Sequence, residues 1–398
     1  MVEERDGVPG DAPEVKPGGA PGDVPGGGSN AAPPVSAASD RKSAPARKAA
    51  PSPGAVPGRD ARVKLHIAVP VAAVVLVALF FASFLIGQYP ISPLGVLDII
   101  GSKIFGYESG EAAMAQTIVW KVRLPRICAA VLIGAALSVA GAVYQGLFKN
   151  PMVSPDILGA SSGAGFGAAL AILISLPYFF VQVNAFVFGI AAVGLAYLIC
   201  TKVSRGKDAV LMLILAGIVV STLFSSFITL IKFVADPDSK LPEITYWLMG
   251  SLASANQRDV LFLLLPLAVG LVPVYLTRWR LNAMAFGDEE ALALGINVRR
   301  LRGVLILAAT LLTAASVAVG GMIGWIGLVI PHMCRFIVGP NYKNLIPMSI
   351  LVGGIFLLVV DCLARMMFTV EIPLGILTSL IGAPFFVYLL FKRKKESA

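Results

Sequence analysis

Charge is scarce in this sequence. Asp, Glu, Lys and Arg make up 14 % of its 398 residues, whereas water-soluble domains carry about 25 %. Histidine is scarcer still. His66 and His332 are the whole supply, which excludes a multi-histidine metal site. The four cysteines, Cys128, Cys200, Cys334 and Cys362, stand singly in apolar stretches without CxxC spacing. They read as small buried hydrophobes, not as a disulfide or zinc framework. No glycine-rich phosphate loop ending in Gly-Lys-Ser/Thr occurs, and the nearest stretch, Arg205-Gly206-Lys207-Asp208, lacks the spacing and the hydroxyl. The chain is therefore not expected to be an enzyme, to hydrolyse ATP, or to carry a cofactor or metal. Its 32 Lys and Arg give a net charge of +9, but they are strung between apolar blocks without a recognised module, so nucleic acid is not an expected partner.

What is abundant is hydrocarbon. Hydrophobic residues reach 57 % and the mean hydropathy is +0.82, so the expected solvent is lipid. Residues 1–64 stand apart, with eleven prolines, ten glycines and no aromatic residue. Such a segment cannot repay its ordering entropy, and a disordered tail is expected there. From residue 65 a membrane domain is expected to run to 398. Ten stretches have the composition of a helical crossing: 65–87, 127–148, 157–176, 179–200, 209–231, 259–277, 303–321, 324–338, 345–368 and 374–391. Backbone polar groups in lipid must be paired within their own segment, which makes this an all-α polytopic fold. With the N-terminus inside, 21 Lys and Arg from residue 41 onward fall on the cytoplasmic side and seven on the outer side. That bias places both termini in the cytoplasm and requires an even number of crossings.

Few ionisable residues lie within the crossings. Asp361 and Arg365 share a helix face at i and i+4, where an intrahelical ion pair is expected. Arg335 closes the eighth stretch, and Asp156 sits at the mouth of the third. An ion-driven carrier needs mid-membrane carboxylates, and their scarcity points to an outside energy source. Ser138-Val139-Ala140 followed by Pro151, and Ser316-Val317-Ala318 followed by Pro331, hint at five crossings repeated in inverted order.

Two segments carry candidate function. Gly287-Asp288-Glu289-Glu290-Ala291-Leu292-Ala293-Leu294-Gly295 has acids crowding its first turn and a glycine to stop it, the pattern of one short helix. Ile296 and Val298 are expected to expose apolar side chains beside it, ahead of Arg299, Arg300 and Arg302, which would make a docking knob for a soluble partner. In Asn150-Pro151 through Gly167, two prolines interrupt the chain and small residues follow. Ser154, Ser161, Ser162, Gly163 and Gly167 are candidates for the wall of a translocation path, although close helix packing alone explains the glycines.

At this point the sequence becomes recognisable. Arg123-Leu124-Pro125-Arg126, Gly134 through Gly141 with Gln145, Asn150-Pro151 through Leu158-Gly159, and Gly287 to Gly295 occur in order. Gly324-Trp325-Ile326-Gly327 through Pro331-His332, Asp361 with Ala364-Arg365, Glu371 through Ile376, and Gly382-Ala383-Pro384-Phe385-Phe386 follow. Together they resemble the FecCD family of ABC importer permeases, which takes in vitamin B12, haem and ferric-siderophore permeases. The resemblance covers about 65 to 398 and leaves out the tail.

The resemblance implies a type II importer permease fold of ten transmembrane helices in a bacterial inner membrane. Its implied partners are a second permease copy (identical or a close paralogue), two cytoplasmic ATPases and an extracellular or periplasmic substrate-binding protein, with lipid around them. Residues Gly287, Asp288, Glu289, Glu290, Ala291, Leu294 and Gly295 would form the ATPase-coupling loop. Arg123, Arg126 and Arg365 would dock the binding protein. Cargo would be an iron complex, ferric siderophore first, with haem and cobalamin next and an oxyanion such as molybdate last. His332 reads better as a core histidine than as a haem ligand. The competing class is an ion-coupled secondary transporter.

Overall fold

The computed structural model of this chain describes residues 59–203, 209–367 and 370–397. Most of the expected tail lies outside them. Every regular element among the described residues is helical, as hydrocarbon solvent requires. Helix α1 (Arg59–Ala82) is followed by α2 (Pro93–Phe105) and α3 (Ala113–Thr117), and a π-helical turn, Ile118–Arg123, joins α3 to α4 (Leu124–Leu147). Then come α5 (Ala160–Leu173), α6 (Tyr178–Val203), α7 (Ala209–Val234), α8 (Lys240–Met249), α9 (Gln257–Phe286) and α10 (Asp288–Ala293). The chain ends with α11 (Val298–Gly320), α12 (Ile326–Val338), α13 (Tyr342–Met366) and α14 (Leu374–Ser397).

Seven helical stretches are long and apolar enough to cross a membrane, and α5, α12 and Leu374–Tyr388 are shorter apolar helices. Several expected boundaries shift. Helix α1 begins at Arg59, before the expected edge of the tail, because a helix need not stop where hydrocarbon stops. The expected crossing 127–148 starts much earlier, as one unbroken stretch Ala113–Leu147. Pro125 sits inside that stretch, just past the π-helical turn Ile118–Arg123, where it withholds one backbone donor and the ladder changes pitch. The expected crossing 157–176 contains only 14 residues of α-helix, because a 3-10 turn at Pro155–Leu158 and left-handed Gly159 (φ 86°) precede it.

Helices α4 and α11 are the two most buried long helices and form the centre of the bundle. Small residues let their neighbours approach. A Cβ on Gly134 would fall 2.2 Å from the Gly353 carbonyl oxygen, and one on Gly353 would fall 2.4 Å from that of Gly134, so α4 and α13 touch backbone to backbone. Both central helices are followed by a break and then a short helix, α5 or α12, which parallels the repeat suggested by the two Ser-Val-Ala sequences. The two breaks meet. A Cβ on Gly327, near the start of α12, would lie 2.3 Å from Pro155, just ahead of α5.

Two elements carry no counterpart among the expected crossings. Helix α2 is capped by Ser92, whose hydroxyl accepts from Gly95 N at 2.9 Å, and it ends at left-handed Gly106. Asp98 folds the following turn back, accepting from Ser109 Oγ at 2.6 Å and Gly110 N at 3.0 Å. Helix α8 ends at Gly250, whose carbonyl accepts from Leu374 N at 2.8 Å.

Candidate functional site

At the start of α4 the three candidate docking arginines converge, each about 5 % exposed. Arg126 donates from Nε to Asp361 Oδ1 and from Nη1 to Glu371 Oε1, both at 2.8 Å. Arg365 stands 3.1 Å from the other Asp361 oxygen, completing the expected i,i+4 pair. It also donates to Ser83 Oγ at 2.7 Å and to the Ile86 carbonyl at 2.9 Å. Arg123 donates to the carbonyls of Phe84 and Tyr89. One wholly buried carboxylate thus binds two guanidinium groups, and together the arginines strap the chain after α1 to α4 and α13. The three arginines expected to dock a binding protein therefore have their donors largely committed to internal acceptors in this chain. The driving force is the cost of desolvating a charge, which only paired and hydrogen-bonded groups can offset.

At the other end of α4 lies the candidate coupling segment. Helix α10 spans Asp288–Ala293 with Asp288, Glu289 and Glu290 in its first turn, and Gly295 has φ 75°. The short acidic helix with a glycine stop is therefore present. Asp288 is held by Arg302 Nη2 at 2.7 Å, with Lys149 Nζ 3.9 Å away. Ala291 is fully buried and anchors the helix, while Glu289 and Glu290 point into solvent. The apolar edge differs from expectation. Ile296 and Val298 are each only 6 % exposed, and Leu292 (59 %) and Leu294 (68 %) are the residues presented outward. The cause is local: left-handed Gly295 reverses the chain and Ile296 N donates to the Ala291 carbonyl at 3.0 Å, turning residues 296–298 inward. Asn297 then starts α11 by accepting from Arg300 N at 3.0 Å.

The candidate path residues divide. Ser154, Ser161 and Ser162 are half-buried. Ser154 and Ser161 both donate to the Asp156 carboxylate, which ties the 3-10 turn to the start of α5. Gly163 and Gly167 are buried against α6: Cβ atoms there would fall 2.5 Å from the Phe188 carbonyl oxygen and 2.4 Å from that of Asn184. That close approach is the helix-packing alternative for these two glycines. A polar hub lies nearby, at Gln145, which the motif run names without a role. Gln145 Nε2 donates to the carbonyls of Val153, Gly327 and Leu328 at 3.2–3.3 Å, and its oxygen accepts from Arg335. This one side chain satisfies backbone carbonyls freed at both helix breaks. A glutamine within an apolar run is the signal that could have flagged it.

The FecCD transport family matches residues 75–392, most of the membrane body just described. The chain belongs to that family. Among relatives of this FecCD protein, the molybdate import system permease MolB of Haemophilus influenzae is 39 % identical over 310 residues, covering 78 % of this chain and 91 % of MolB. The hemin transport system permease HmuU of Yersinia pestis is 38 % identical, covering 70 % of this chain and 84 % of HmuU. A solved chain of an ABC transporter, described as a candidate metal-chelate type in an inward-facing conformation, matches with TM-score 0.73 and 37 % identity. That match covers 81 % of this chain and 98 % of the other. In this FecCD chain the candidate sites do not form one centre. The arginine cluster and α10 sit at opposite ends of α4, whose 24 residues span about 36 Å, and the Asp156 serines lie between them.

Proposed function

We propose that this protein is the permease subunit of an ATP-driven importer for iron complexes, with ferric siderophore as its cargo. The observation that carries the reading is the build of α10. A short acidic helix is clamped at Asp288 and anchored at Ala291, and it turns Leu292 and Leu294 outward at one end of a bundle whose sequence holds no nucleotide-binding loop. Such a projection suits a helix-in-groove contact with an ATPase subunit. Seven helical stretches are long and apolar enough to cross a membrane. With the three shorter apolar ones also crossing, the count would be ten, an even number that would leave both termini on the cytoplasmic side the Lys and Arg bias favours.

Two copies would enclose the pathway, two ATPases would bind beneath, and a binding protein would deliver cargo outside. Closure of the ATPases would drag α10 and, through the Asp288–Arg302 pair, tilt α11 at the bundle centre. Ser154, Ser161 and Ser162, beside the junction of the two helix breaks, would present a weakly polar wall to the cargo. With the buried arginines spent internally, Glu371, 32 % exposed at its side chain, is the cluster member left to meet the binding protein.

The test is uptake by vesicles holding this chain, its ATPase and its binding protein, with labelled ferric siderophore, haem, cobalamin and molybdate supplied separately. ATP-dependent accumulation of ferric siderophore supports the reading. Accumulation of molybdate alone would shift the cargo to an oxyanion, a second reading favoured by the extent of the MolB match. Uphill movement without any ATPase would return the protein to the secondary transporters.

A further inference from the structure

Two cavities meet at Tyr197, on α6. The larger, about 770 Å³, opens at the α10 end of the bundle and is lined by Asn297, Arg299 and Arg302 beside Asp288. The smaller, about 230 Å³, runs between α6 and α11 and is bounded by Gly194, Gly303 and Leu307. This groove exists because both helices lack a side chain where they face it. A Cβ on Gly194 would meet nothing within 4 Å, and one on Gly303 would meet only the Tyr197 hydroxyl at 4.0 Å. Gly194 and Leu307 are exposed, so the groove opens sideways. Around it, Leu198 (59 % exposed) and Val304 (46 %) continue the apolar surface that faces lipid.

The mouth of the groove has the opposite character. Among the described residues, two guanidinium groups line the larger cavity against one carboxylate, an excess of one positive charge. Arg302 uses Nη2 on Asp288, but its Nε is buried without a hydrogen-bond partner among the described residues. Arg299 is exposed. An open apolar slot at membrane depth that runs into a basic, donor-rich mouth has the polarity of one molecule class, a chain of hydrocarbon ending in an anion.

We propose that the α6–α11 groove binds an anionic phospholipid, with an acyl chain between Gly194 and Gly303 and the phosphate at Arg299 and Arg302. Charge-assisted hydrogen bonds from guanidinium to phosphate supply the headgroup selectivity, and the slot supplies the preference for a lipid over a soluble phosphate. Because Arg302 also holds Asp288, the bound headgroup bears on the clamp that positions α10. The lipid composition of the membrane thereby reaches the segment proposed to couple to the ATPase, although lipid binding itself does not depend on the import reading.

The test is native mass spectrometry of the purified full chain titrated with phosphatidylglycerol and with phosphatidylcholine. The wild type should retain phosphatidylglycerol in preference. Arg299→Gln, an exposed change, should lower that retention about fivefold, the effect of one basic residue at an anionic lipid, without altering phosphatidylcholine. Gly194→Leu, which fills open space and leaves packing intact, should lower retention of both lipids, and glycerol 3-phosphate should fail to compete. Equal retention of the two lipids, an unchanged Gly194→Leu variant, or full displacement by glycerol 3-phosphate would each overturn the proposal.

Discussion

Asp361 shows how much a single buried side chain can govern in a lipid-embedded bundle. Its two oxygens face Arg126 and Arg365, and all three side chains are about 5 % exposed or less. Removing the carboxylate strands two buried cations, a change that costs about 3–5 kcal/mol. Asp361→Ala should therefore abolish or sharply lower the yield of monodisperse protein, read by fluorescence-detected size exclusion and thermal shift. Glu371→Gln should cost much less, because that carboxylate is one-third exposed and Arg126 keeps Asp361. Equal losses for the two variants would contradict the cluster geometry. Loss of transport in an Asp361 variant consequently reports on folding before it reports on cargo. The i,i+4 spacing of Asp361 and Arg365 was readable from the sequence. Their partnership with Arg126 was not, because 235 residues separate Arg126 from Asp361 and no local pattern encodes that meeting.

At the scale of elements, the long helices provide the frame and the short segments carry the proposed coupling role. Helix α10 was legible because acids in a first turn and a glycine at the end are local signals of dipole and stop. Which apolar residues it exposes was not legible, since that depends on the reversal at Gly295. Leu292→Glu combined with Leu294→Glu should eliminate co-purification of the ATPase subunit while leaving the thermal midpoint of the permease unchanged, because both side chains already face solvent. Gly295→Val should cost about 1–2 kcal/mol through its left-handed conformation, seen as a lowered thermal midpoint. The contact between α4 and α12 is tighter still. A Cβ on Gly141 would fall 1.8 Å from the Gly327 carbonyl oxygen, so Gly141→Ala must push two backbones apart. We expect a loss of about 1–3 kcal/mol, the cost of overpacking a tight core, measured by the same thermal assay.

Over the whole molecule, a buried centre of α4 and α11 is ringed by helices whose outer faces remain apolar, as expected where lipid replaces water. Phe233 (84 % exposed), Val219 (62 %) and Leu230 (59 %) on α7 illustrate this. The proposed topology, ten crossings with both ends inside, predicts that a green fluorescent protein fused at the C-terminus will fluoresce and that alkaline phosphatase fused there will be inactive. The reverse result would require an odd number of crossings and remove one of the three short helices from the count.

The sequence by itself determined the solvent, the helical class, the family and the existence of the α10 helix. Each of these follows from composition or from residues close together in the chain, where backbone satisfaction, dipoles and turn conformation act over a few residues. Only the tertiary structure decided that the arginines of the Arg123–Arg126 motif and α13 face inward, that Gly163 and Gly167 lie against α6, that Gln145 closes two helix breaks, and that glycines 109 residues apart, Gly194 and Gly303, face one groove. Those outcomes depend on which helix faces which. In a uniformly apolar sequence almost any face can be buried, so the arrangement is selected by close backbone contacts and buried charge pairs between residues far apart in the chain.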